Sequence, residues 1–306
     1  MNSSSLRALI ERFTRQFEEH AVDSPRLSAE ILTAKAMGME RADLLRHMIL
    51  HPGALIADEE LALAESYAGR RSRGEPAAYI LGGKEFYSRD FIVTPAVLIP
   101  RPETELLVDL ALDFIRSTKE PVLKGRPVFA DFGTGSGCIG ITLALARPSW
   151  RGLALDISEE ALLVAKQNAA RHGADNLTLL RADFAAAPIA PESLYIVAAN
   201  PPYVSEEEYQ QLNREVLAFE PKSALVPGSA KAPAGARLQA TGLEDAFAII
   251  RQAERLLRPG GMLLMEIGQG QARDLLGALA RASFAKASVH KDYAGHNRVV
   301  AAQKRG

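Results

Sequence analysis

The residues in this chain best suited to chemistry are Asn200-Pro-Pro-Tyr203, which directly follow the apolar segment 194–199. The apolar segment predicts a buried strand, and the two prolines end it because they cannot donate backbone hydrogen bonds. In open α/β sheets, ligands bind at this carboxyl end of the strands. The tetrapeptide therefore predicts a rigid lip beside a binding site, although Asn-Pro also opens ordinary turns.

The side chains of this lip are suited to holding a planar NH2 group. Asn200 offers one acceptor and two donors, and the carbonyl group of Pro201 adds a second acceptor. Together they can bind both hydrogens of an NH2 group, while Tyr203 offers a ring for stacking. Because resonance occupies the lone pair of such a nitrogen, a site that alkylates it gains by orienting it. We predict that Asn200, Pro201, Pro202 and Tyr203 bind the substrate and act in catalysis.

A glycine-rich turn, Asp131-Phe-Gly-Thr-Gly-Ser-Gly137, follows a predicted strand and opens a predicted helix. Glycines there let the backbone turn sharply and let a ligand approach closely. Their spacing differs from that of a dinucleotide site, and the Lys-Ser/Thr pair of a phosphate loop is missing. The carboxylate of Asp131 would repel phosphate but suit a cationic ligand, directly or through water. The turn therefore favours a ligand without phosphate.

Further acidic and aromatic residues end the next two predicted strands. Asp156 has the position that binds ribose hydroxyls in nucleoside-binding α/β folds. Asp183 offers a carboxylate to an exocyclic amine, and Phe184 offers a ring for stacking. A ligand with a ribose, an adenine and a positive centre but no phosphate is S-adenosylmethionine, whose product is S-adenosylhomocysteine. The predicted cofactor-binding residues are Asp131, Gly133, Thr134, Gly135, Ser136, Gly137, Asp156, Asp183, Phe184 and Asn200.

The arrangement of strands and helices predicts the fold class. From residue 127 onward they alternate, which is typical of a doubly wound, mostly parallel α/β sheet of the Rossmann-like class. The small-residue-rich segment 227–240 interrupts this pattern and predicts a surface loop. Before the sheet, apolar residues at helical spacing predict a small all-helical bundle, and the runs 86–93 and 96–99 predict a β-hairpin. The predicted domains are a helical domain at 1–82, a hairpin connector at 83–99 and a cofactor-binding domain at 100–306.

Two clusters of charged residues lie outside the glycine-rich turn. Arg101 lies between Pro100 and Pro102, and Glu103 follows them at the start of a predicted helix, which is unusual for a linker. We predict that both contact the substrate. The basic cluster Arg70, Arg71 and Arg73 is typical of a solvated helix end, and contact with an RNA-rich partner is the alternative.

Composition limits the setting in which the protein works. The 306 residues carry a net charge of −1, which gives no electrostatic indication of nucleic-acid binding. The single cysteine, Cys138, excludes an internal disulfide and fits a reducing compartment. The chain shows no metal-ligand spacing, no apolar run long enough to span a bilayer and no apolar block of a signal peptide. We expect a cytoplasmic monomer that binds neither metal, membrane nor nucleic acid.

The chain resembles a known family through several of its motifs. The segments 131–137 and 200–203 are similar to the class I methyltransferases that alkylate planar nitrogens. Over nearly the whole chain, the resemblance is to the release-factor glutamine methyltransferases of the PrmC/HemK group. The residues that carry this second resemblance are Gly74-Glu-Pro76, Phe86, Phe91, Leu98-Ile-Pro-Arg-Pro-Glu-Thr-Glu105 and Phe219-Glu-Pro-Lys222.

This resemblance implies a substrate and the role of each part of the chain. The substrate would be the glutamine of the Gly-Gly-Gln motif in bacterial peptide chain release factors, methylated on its side-chain amide nitrogen. The residues predicted above would hold S-adenosylmethionine and this glutamine, and the helical domain at 1–82 would dock the release factor. The segment at about 229–240 is longer than is usual in the family.

Three other functions stay open on the sequence. A sister group methylates a glutamine of a ribosomal protein but typically lacks the Pro-Glu-Thr-Glu continuation found at 102–105. An adenine-N6 methyltransferase of DNA or RNA would use the same Asn-Pro-Pro-Tyr motif, because adenine also presents a planar NH2 group. The near-neutral net charge counts against that reading. A non-catalytic nucleoside-binding module would have no need of the tetrapeptide.

Overall fold

The computed structural model describes residues 5–118, 127–228 and 240–306. Most of the loop predicted at 227–240 therefore lies outside the described residues. The chain divides into two compact units. The first runs to Gly83 and takes in Asn213–Phe219, and the second comprises Lys84–Leu212 and Glu220–Gly306.

The first unit is a bundle of helices. Its N-terminal helices are α1 (Leu6–Glu19), α2 (Pro25–Ala36), α3 (Arg41–Leu50), α4 (Asp58–Ser72) and α5 (Ala77–Leu81). Helix α1 shows why they associate, because its apolar residues recur every three or four positions and form one buried stripe. That stripe packs with Leu32 of α2 and Ala64 and Ala68 of α4 in a single core.

A two-stranded sheet, β1 (Gly83–Phe86) with β2 (Arg89–Ile92), follows the bundle. Its two phenylalanines, Phe86 and Phe91, are buried. The predicted second strand at 96–99 is wrong, because both hairpin strands lie before residue 93. The backbone N–H of Val97 donates to the Thr94 carbonyl in a turn at 3.1 Å. That of Ile99 donates to the Glu220 carboxylate at 3.3 Å, so neither group is available to a neighbouring strand.

The second unit is built on a seven-stranded sheet. Its strands are β3 (Val128–Phe132), β4 (Arg151–Asp156), β5 (Leu177–Arg181), β6 (Leu194–Ala199), β7 (Leu257–Glu266), β8 (Phe284–Lys291) and β9 (Asn297–Lys304). The strand order is β5-β4-β3-β6-β7-β9-β8, with β3 to β7 parallel and the pairs of β9 antiparallel. This order confirms the predicted doubly wound, mostly parallel sheet.

Helices cover both faces of this sheet. The helices after the hairpin are α6 (Glu105–Ser117), α7 (Cys138–Ala146), α8 (Glu159–His172), α9 (Glu206–Tyr209), α10 (Arg214–Phe219), α11 (Glu244–Leu256) and α12 (Ala272–Arg281). Because side chains alternate along a strand, Ala130 packs in the layer that holds Ile249 of α11. Its neighbour Phe129 packs in the opposite layer, with Ile141 of α7. Within the described ranges, no helix combines the length and the apolar content needed to cross a membrane.

Helix α10 belongs to the helical unit, to which an ion pair ties it. The guanidinium group of Arg71 is buried, at 4% side-chain exposure, and donates to the Glu215 carboxylate of α10 at 2.7 Å. It also donates to the backbone carbonyl of Glu75 at 2.9 Å. Arg70 pairs with the Glu75 carboxylate at 2.6 Å, whereas Arg73 is exposed. The prediction of a solvated helix end is therefore wrong for Arg71.

We expect the substitution Arg71→Met to lower the free energy of unfolding by about 2–3 kcal/mol, because it leaves the Glu215 carboxylate and the Glu75 carbonyl without their donor. Urea unfolding of the full chain measures the effect. Arg73→Met, in the same cluster but exposed, is the matched control and should change the stability by less than about 0.5 kcal/mol. Equal effects of the two substitutions would contradict a special role for the buried pair.

Candidate active site

The pairing register aligns the carboxyl ends of four strands, β3, β4, β6 and β7, along one edge of the sheet. Phe132 of β3 pairs with Leu155 of β4 and with Ala199 of β6, and Ala199 pairs with Met265 of β7. The residues that follow these four are therefore neighbours along one edge of the sheet: Gly133, Asp156, Asn200 and Glu266. The strand order reverses between β3 and β6. This point is where open α/β sheets bind ligands.

The buried carboxylate of Asp131 supports the glycine-rich turn through hydrogen bonds. This carboxylate is fully buried, and its Oδ2 atom accepts from the Thr134 hydroxyl at 2.6 Å and from the Gly140 backbone N–H at 2.9 Å. Burial raises the pKa of Asp131 to about 6, although both hydrogen bonds act against the increase. Gly133 and Gly135 have φ values of +70° and +54°, which L side chains rarely adopt. Asp131 therefore shapes the turn from inside the protein.

A cavity of about 350 Å3 opens above the turn. Asp156 lines it, and its carboxylate accepts from the backbone N–H groups of Gly135 and Ser158, both at 2.9 Å. Burial raises the pKa of Asp156 from its usual value, and these two N–H groups act against that increase. Phe184 also lines the cavity, and its ring stacks on Phe132 at 6.1 Å between centroids.

The charges around this cavity fit a cationic ligand. Its described lining contains five carboxylates and two guanidinium groups: Asp156, Glu159, Glu160, Asp183 and Asp245, and Arg101 and Arg181. Both guanidinium groups are already in ion pairs, with Glu220 and Glu159 respectively. The volume suits a small-molecule ligand. The residues present therefore fit the ribose, the adenine and the sulfonium charge of S-adenosylmethionine, and they do not favour a phosphate.

Asn200 lines the same cavity and belongs to a hydrogen-bonded chain. Its Nδ2 atom donates to the Thr104 hydroxyl at 3.2 Å, and that hydroxyl donates to Glu266 Oε2 at 2.6 Å. The Tyr203 hydroxyl donates to Glu266 Oε1 at 3.4 Å. Thr104 and Glu266 are 2% and 1% exposed. Burial raises the pKa of Glu266 to about 7, despite the Thr104 bond and the nearby charge of Arg298.

Arg101 and Glu103 have different surroundings. Arg101 lines the cavity and its guanidinium group donates to the buried Glu220 carboxylate at 2.5 Å. Glu103 is exposed and does not line the cavity. Thr104, two residues after Pro102, also lines the cavity, and its buried hydroxyl donates to Glu266.

Gln271, in the loop after β7, fixes the position of the lip through its hydrogen bond to the Tyr203 carbonyl. Its Nε2 atom donates to the Tyr203 carbonyl at 2.9 Å and to the Gly242 carbonyl at 3.0 Å, while its Oε1 accepts from the Gly268 N–H at 2.9 Å. Both carbonyl bonds join segments that are far apart in the chain. The backbone after Asn200 is therefore fixed by a side chain from the loop after β7.

Most of the predicted site residues lie together at this edge of the sheet. Those that line the cavity are Arg101, Gly133, Thr134, Gly135, Ser136, Asp156, Asp183, Phe184, Asn200 and Pro202. Asp131, Gly137, Pro201 and Tyr203 lie next to these in the chain and do not line it. The sequence prediction missed Thr104, Glu220, Glu266 and Gln271. Of these, Glu266 gave a usable signal, because it ends an apolar strand just as Asp156 does.

This fold and this site define a class I methyltransferase. Residues 125–300 match a family model described as "Methyltransferase domain", and residues 8–82 match one described as "PrmC N-terminal domain". A solved ribosomal protein L11 methylase from Lactobacillus delbrueckii subsp. bulgaricus aligns over 73% of this chain and 90% of its own, with 20% identity and a TM-score of 0.44. That likeness is too distant to support any further conclusion.

Relatives of high sequence identity assign the chain to one family within this class. The release factor glutamine methyltransferase of Nitratidesulfovibrio vulgaris is 43% identical over 98% of this chain and 96% of its own. That of Chlorobaculum tepidum is 38% identical over 90% of each chain. The chain belongs to the release factor glutamine methyltransferase family, which confirms the resemblance seen in the sequence. Members of this class use S-adenosylmethionine as the methyl donor.

The raised pKa of Glu266 predicts a pH-dependent stability difference. In the unfolded chain this carboxyl ionises near its ordinary pKa, so ionisation in the folded protein costs free energy as the pH rises to about 7. Glu266→Gln removes that cost. Relative to the wild type, the variant should gain up to about 3 kcal/mol between about pH 4 and about pH 8. Urea unfolding of both proteins across this range measures the gain, and a constant difference would contradict the raised pKa.

Proposed function

We propose that this protein transfers the methyl group of S-adenosylmethionine to the side-chain amide nitrogen (N5) of the glutamine in the Gly-Gly-Gln motif of bacterial peptide chain release factors. The family membership supports the release factor as the substrate. The observation that carries the proposal is that Asn200 lines the same cavity as Asp156 and Phe184. A planar NH2 group bound by Asn200 would therefore lie beside the place suited to the cofactor.

The chain's own residues would act mainly by positioning. S-adenosylmethionine, when bound, supplies the methyl group and leaves as S-adenosylhomocysteine, while the amide nitrogen loses one proton to water. Asn200 Oδ1 and the Pro201 carbonyl would accept the two amide hydrogens and direct the nitrogen lone pair at the reacting carbon. These acceptors strengthen their bonds as positive charge develops on the nitrogen. Tyr203 would pack against the planar amide, and no general base is required.

Cofactor binding would depend on residues at the strand ends. Asp156 would accept hydrogen bonds from the ribose hydroxyls, and the backbone of Gly133 to Gly137 would allow the close approach of the ligand. Phe184 offers a face to the adenine, and Asp183 offers an acceptor to its exocyclic amine. The surplus of carboxylates around the cavity would favour the sulfonium charge over the neutral product.

The substrate is tested directly by methyl transfer from labelled S-adenosylmethionine. We expect label in a purified release factor, and peptide mass spectrometry should find it on the Gly-Gly-Gln glutamine. Parallel incubations with ribosomal proteins and with DNA or RNA should stay unlabelled. Label on a ribosomal-protein glutamine or on adenine would overturn the substrate while leaving the methyltransferase class intact.

The ribose assignment predicts an effect of Asp156→Ala on cofactor affinity. We expect the affinity for S-adenosylhomocysteine, measured by calorimetry, to fall by about tenfold to a hundredfold, because a charged acceptor is lost. Asp156→Asn keeps one acceptor oxygen, enough for one of the two loop N–H groups, and removes the charge, so it should cost less than the alanine substitution. An unchanged affinity in the alanine variant would rule out Asp156 as the ribose ligand.

We also propose that the helical unit docks the release factor. A single glutamine side chain offers too little area to select one large protein, so selectivity requires contacts elsewhere. The unit exposes apolar side chains at one end of α3 and just after it: Ile49 is 74% exposed, Leu50 64% and Leu55 56%. Contiguous exposed apolar patches are typical of protein-binding surfaces, and these three residues lie within seven positions of one another in the chain.

Charged substitutions on that surface should weaken recognition of the whole release factor. For Ile49→Glu with Leu50→Glu in the full chain, we expect kcat/KM for intact release factor to fall by about tenfold or more, since interface contacts are lost. Activity on a short glutamine peptide and affinity for S-adenosylhomocysteine should hold. Leu163→Glu, at a 56% exposed residue of α8, is the matched control and should leave kcat/KM unchanged. An equal loss from both variants would contradict docking by the helical unit.

A further inference from the structure

The orientation of the Asn200 carboxamide decides what this residue can bind. Its two ends have nearly the same shape, but the oxygen accepts hydrogen bonds and the nitrogen donates them. A substrate NH2 group needs the oxygen, because the NH2 end of Asn200 could only repel it. Some contact on the protein side must therefore favour one of the two orientations.

That contact is the Thr104 hydroxyl, 3.2 Å from Asn200 Nδ2. A hydroxyl has a single hydrogen. Thr104 gives its hydrogen to Glu266 Oε2 at 2.6 Å, so only lone pairs face Asn200. A group that presents only lone pairs binds the NH2 end of the amide and turns the Asn200 oxygen away from it. The orientation of Asn200 thus follows from the bond on the other side of Thr104.

The direction of that second bond depends on Glu266. In its ionised form the Glu266 carboxylate has no hydrogen to give and can only accept, and in its protonated form the oxygen without the hydrogen still accepts. It accepts from Thr104 on one oxygen and from the Tyr203 hydroxyl on the other. Were the residue at 266 unable to accept, the Thr104 hydrogen would be released to bond the Asn200 oxygen, and the amide would turn over. Both Thr104 and Glu266 are buried, so water does not compete for these bonds.

We propose that Thr104 and Glu266 are positioning residues for methyl transfer: Glu266 fixes the hydrogen of Thr104, and Thr104 thereby holds the Asn200 amide with its oxygen towards the substrate. Neither residue need touch the substrate. The inference rests on the proposed function, in which Asn200 binds the reacting amide. It also gives a role to the threonine of the segment 102–105 and to the carboxylate that ends β7.

The test compares substitutions at Thr104 with and without Asn200. Thr104→Val removes the hydroxyl at nearly constant shape, and Thr104→Ser keeps it. We expect Thr104→Val to lower kcat on the release factor by about tenfold or more, because the acceptor is misplaced. KM for the release factor should rise by less than kcat falls, because most contacts with that protein lie away from Asn200, and the affinity for S-adenosylhomocysteine should stay within about twofold. Thr104→Ser should restore kcat to within about threefold of the wild type.

Asn200→Ala separates positioning from a general structural effect. If Thr104 acts through Asn200, then Thr104→Val should cost nothing further in the Asn200→Ala background. Fully additive losses would overturn the inference, as would a Thr104→Val enzyme with the wild-type kcat. Where Asn200→Ala alone lowers kcat, the proposed function stands in either case. An Asn200→Ala enzyme with undiminished kcat would instead overturn the site assignment on which the proposed function depends.

Glu266→Met tests the same proposal at the carboxylate that accepts the Thr104 hydrogen bond. It removes both acceptors, including that of the Tyr203 hydroxyl, and should lower kcat at least as much as Thr104→Val does, while the affinity for S-adenosylhomocysteine is kept. In the Thr104→Val background it should cost clearly less than in the wild type, because the Thr104 hydrogen that Glu266 fixes is already absent. Thermal unfolding with bound S-adenosylhomocysteine checks that each variant is folded. If Thr104→Val does not fold, a wild-type kcat in Glu266→Met overturns the inference.

Discussion

The parallel pairing of β3 with β4 and β6, and of β6 with β7, is the constraint on which the site depends. Asp156 and Glu266 are the last residues of their strands, and Gly133 and Asn200 directly follow theirs, so the register sets the height of these four. A slip of one residue in β6 would move Asn200 by about 3.3 Å and exchange the side chains of this strand between the two faces of the sheet. Pro201 and Pro202 limit such a slip, because the strand cannot be extended through them.

Buried carboxylates give this edge of the sheet its rigidity. Asp131 and Glu266 both lie at strand ends, and each accepts a bond of 2.6 Å from a threonine hydroxyl, Thr134 and Thr104 respectively. Burial raises the pKa of both, so each costs free energy when it ionises. The same low exposure strengthens the hydrogen bonds that they accept. The site thus contains two carboxyl groups whose ionisation costs free energy, and their hydrogen bonds fix the conformation of the segments around them.

The sequence predicted the parts of the site that are encoded locally. Asp156 and Asn200 each end an apolar strand, and the glycine-rich turn lies between a strand and a helix, so a short window reveals them. The fold class followed from the same alternation. The bonds that support the site join distant residues: Thr104 and Glu266 are 162 positions apart, and Arg101 and Glu220 are 119 apart. No local pattern carries such information, because only the folded topology brings these residues together.

The errors have a similar origin. The segment 96–99 has the composition of a strand, but Ile99 donates its N–H to Glu220, a residue that propensity cannot anticipate. Arg71 has the composition of a solvated helix end, but its ion pair with Glu215 spans 144 positions. In both cases a bond to a carboxylate from residues 213–220 overrides the local preference, which is a strand at 96–99 and solvent exposure at Arg71.

The membership of α10 in the helical unit has a consequence for synthesis on the ribosome. Domains fold as units during translation, with the N-terminal one first. Here the partner of the buried Arg71 is supplied by Glu215, more than a hundred residues after α5 has ended. During synthesis, the guanidinium group of Arg71 therefore lacks its carboxylate partner until β3 to β6 and the Asn-Pro-Pro-Tyr lip have been made. Only then can the helical unit complete its fold. The first unit to emerge from the ribosome is completed only after half of the second has followed it.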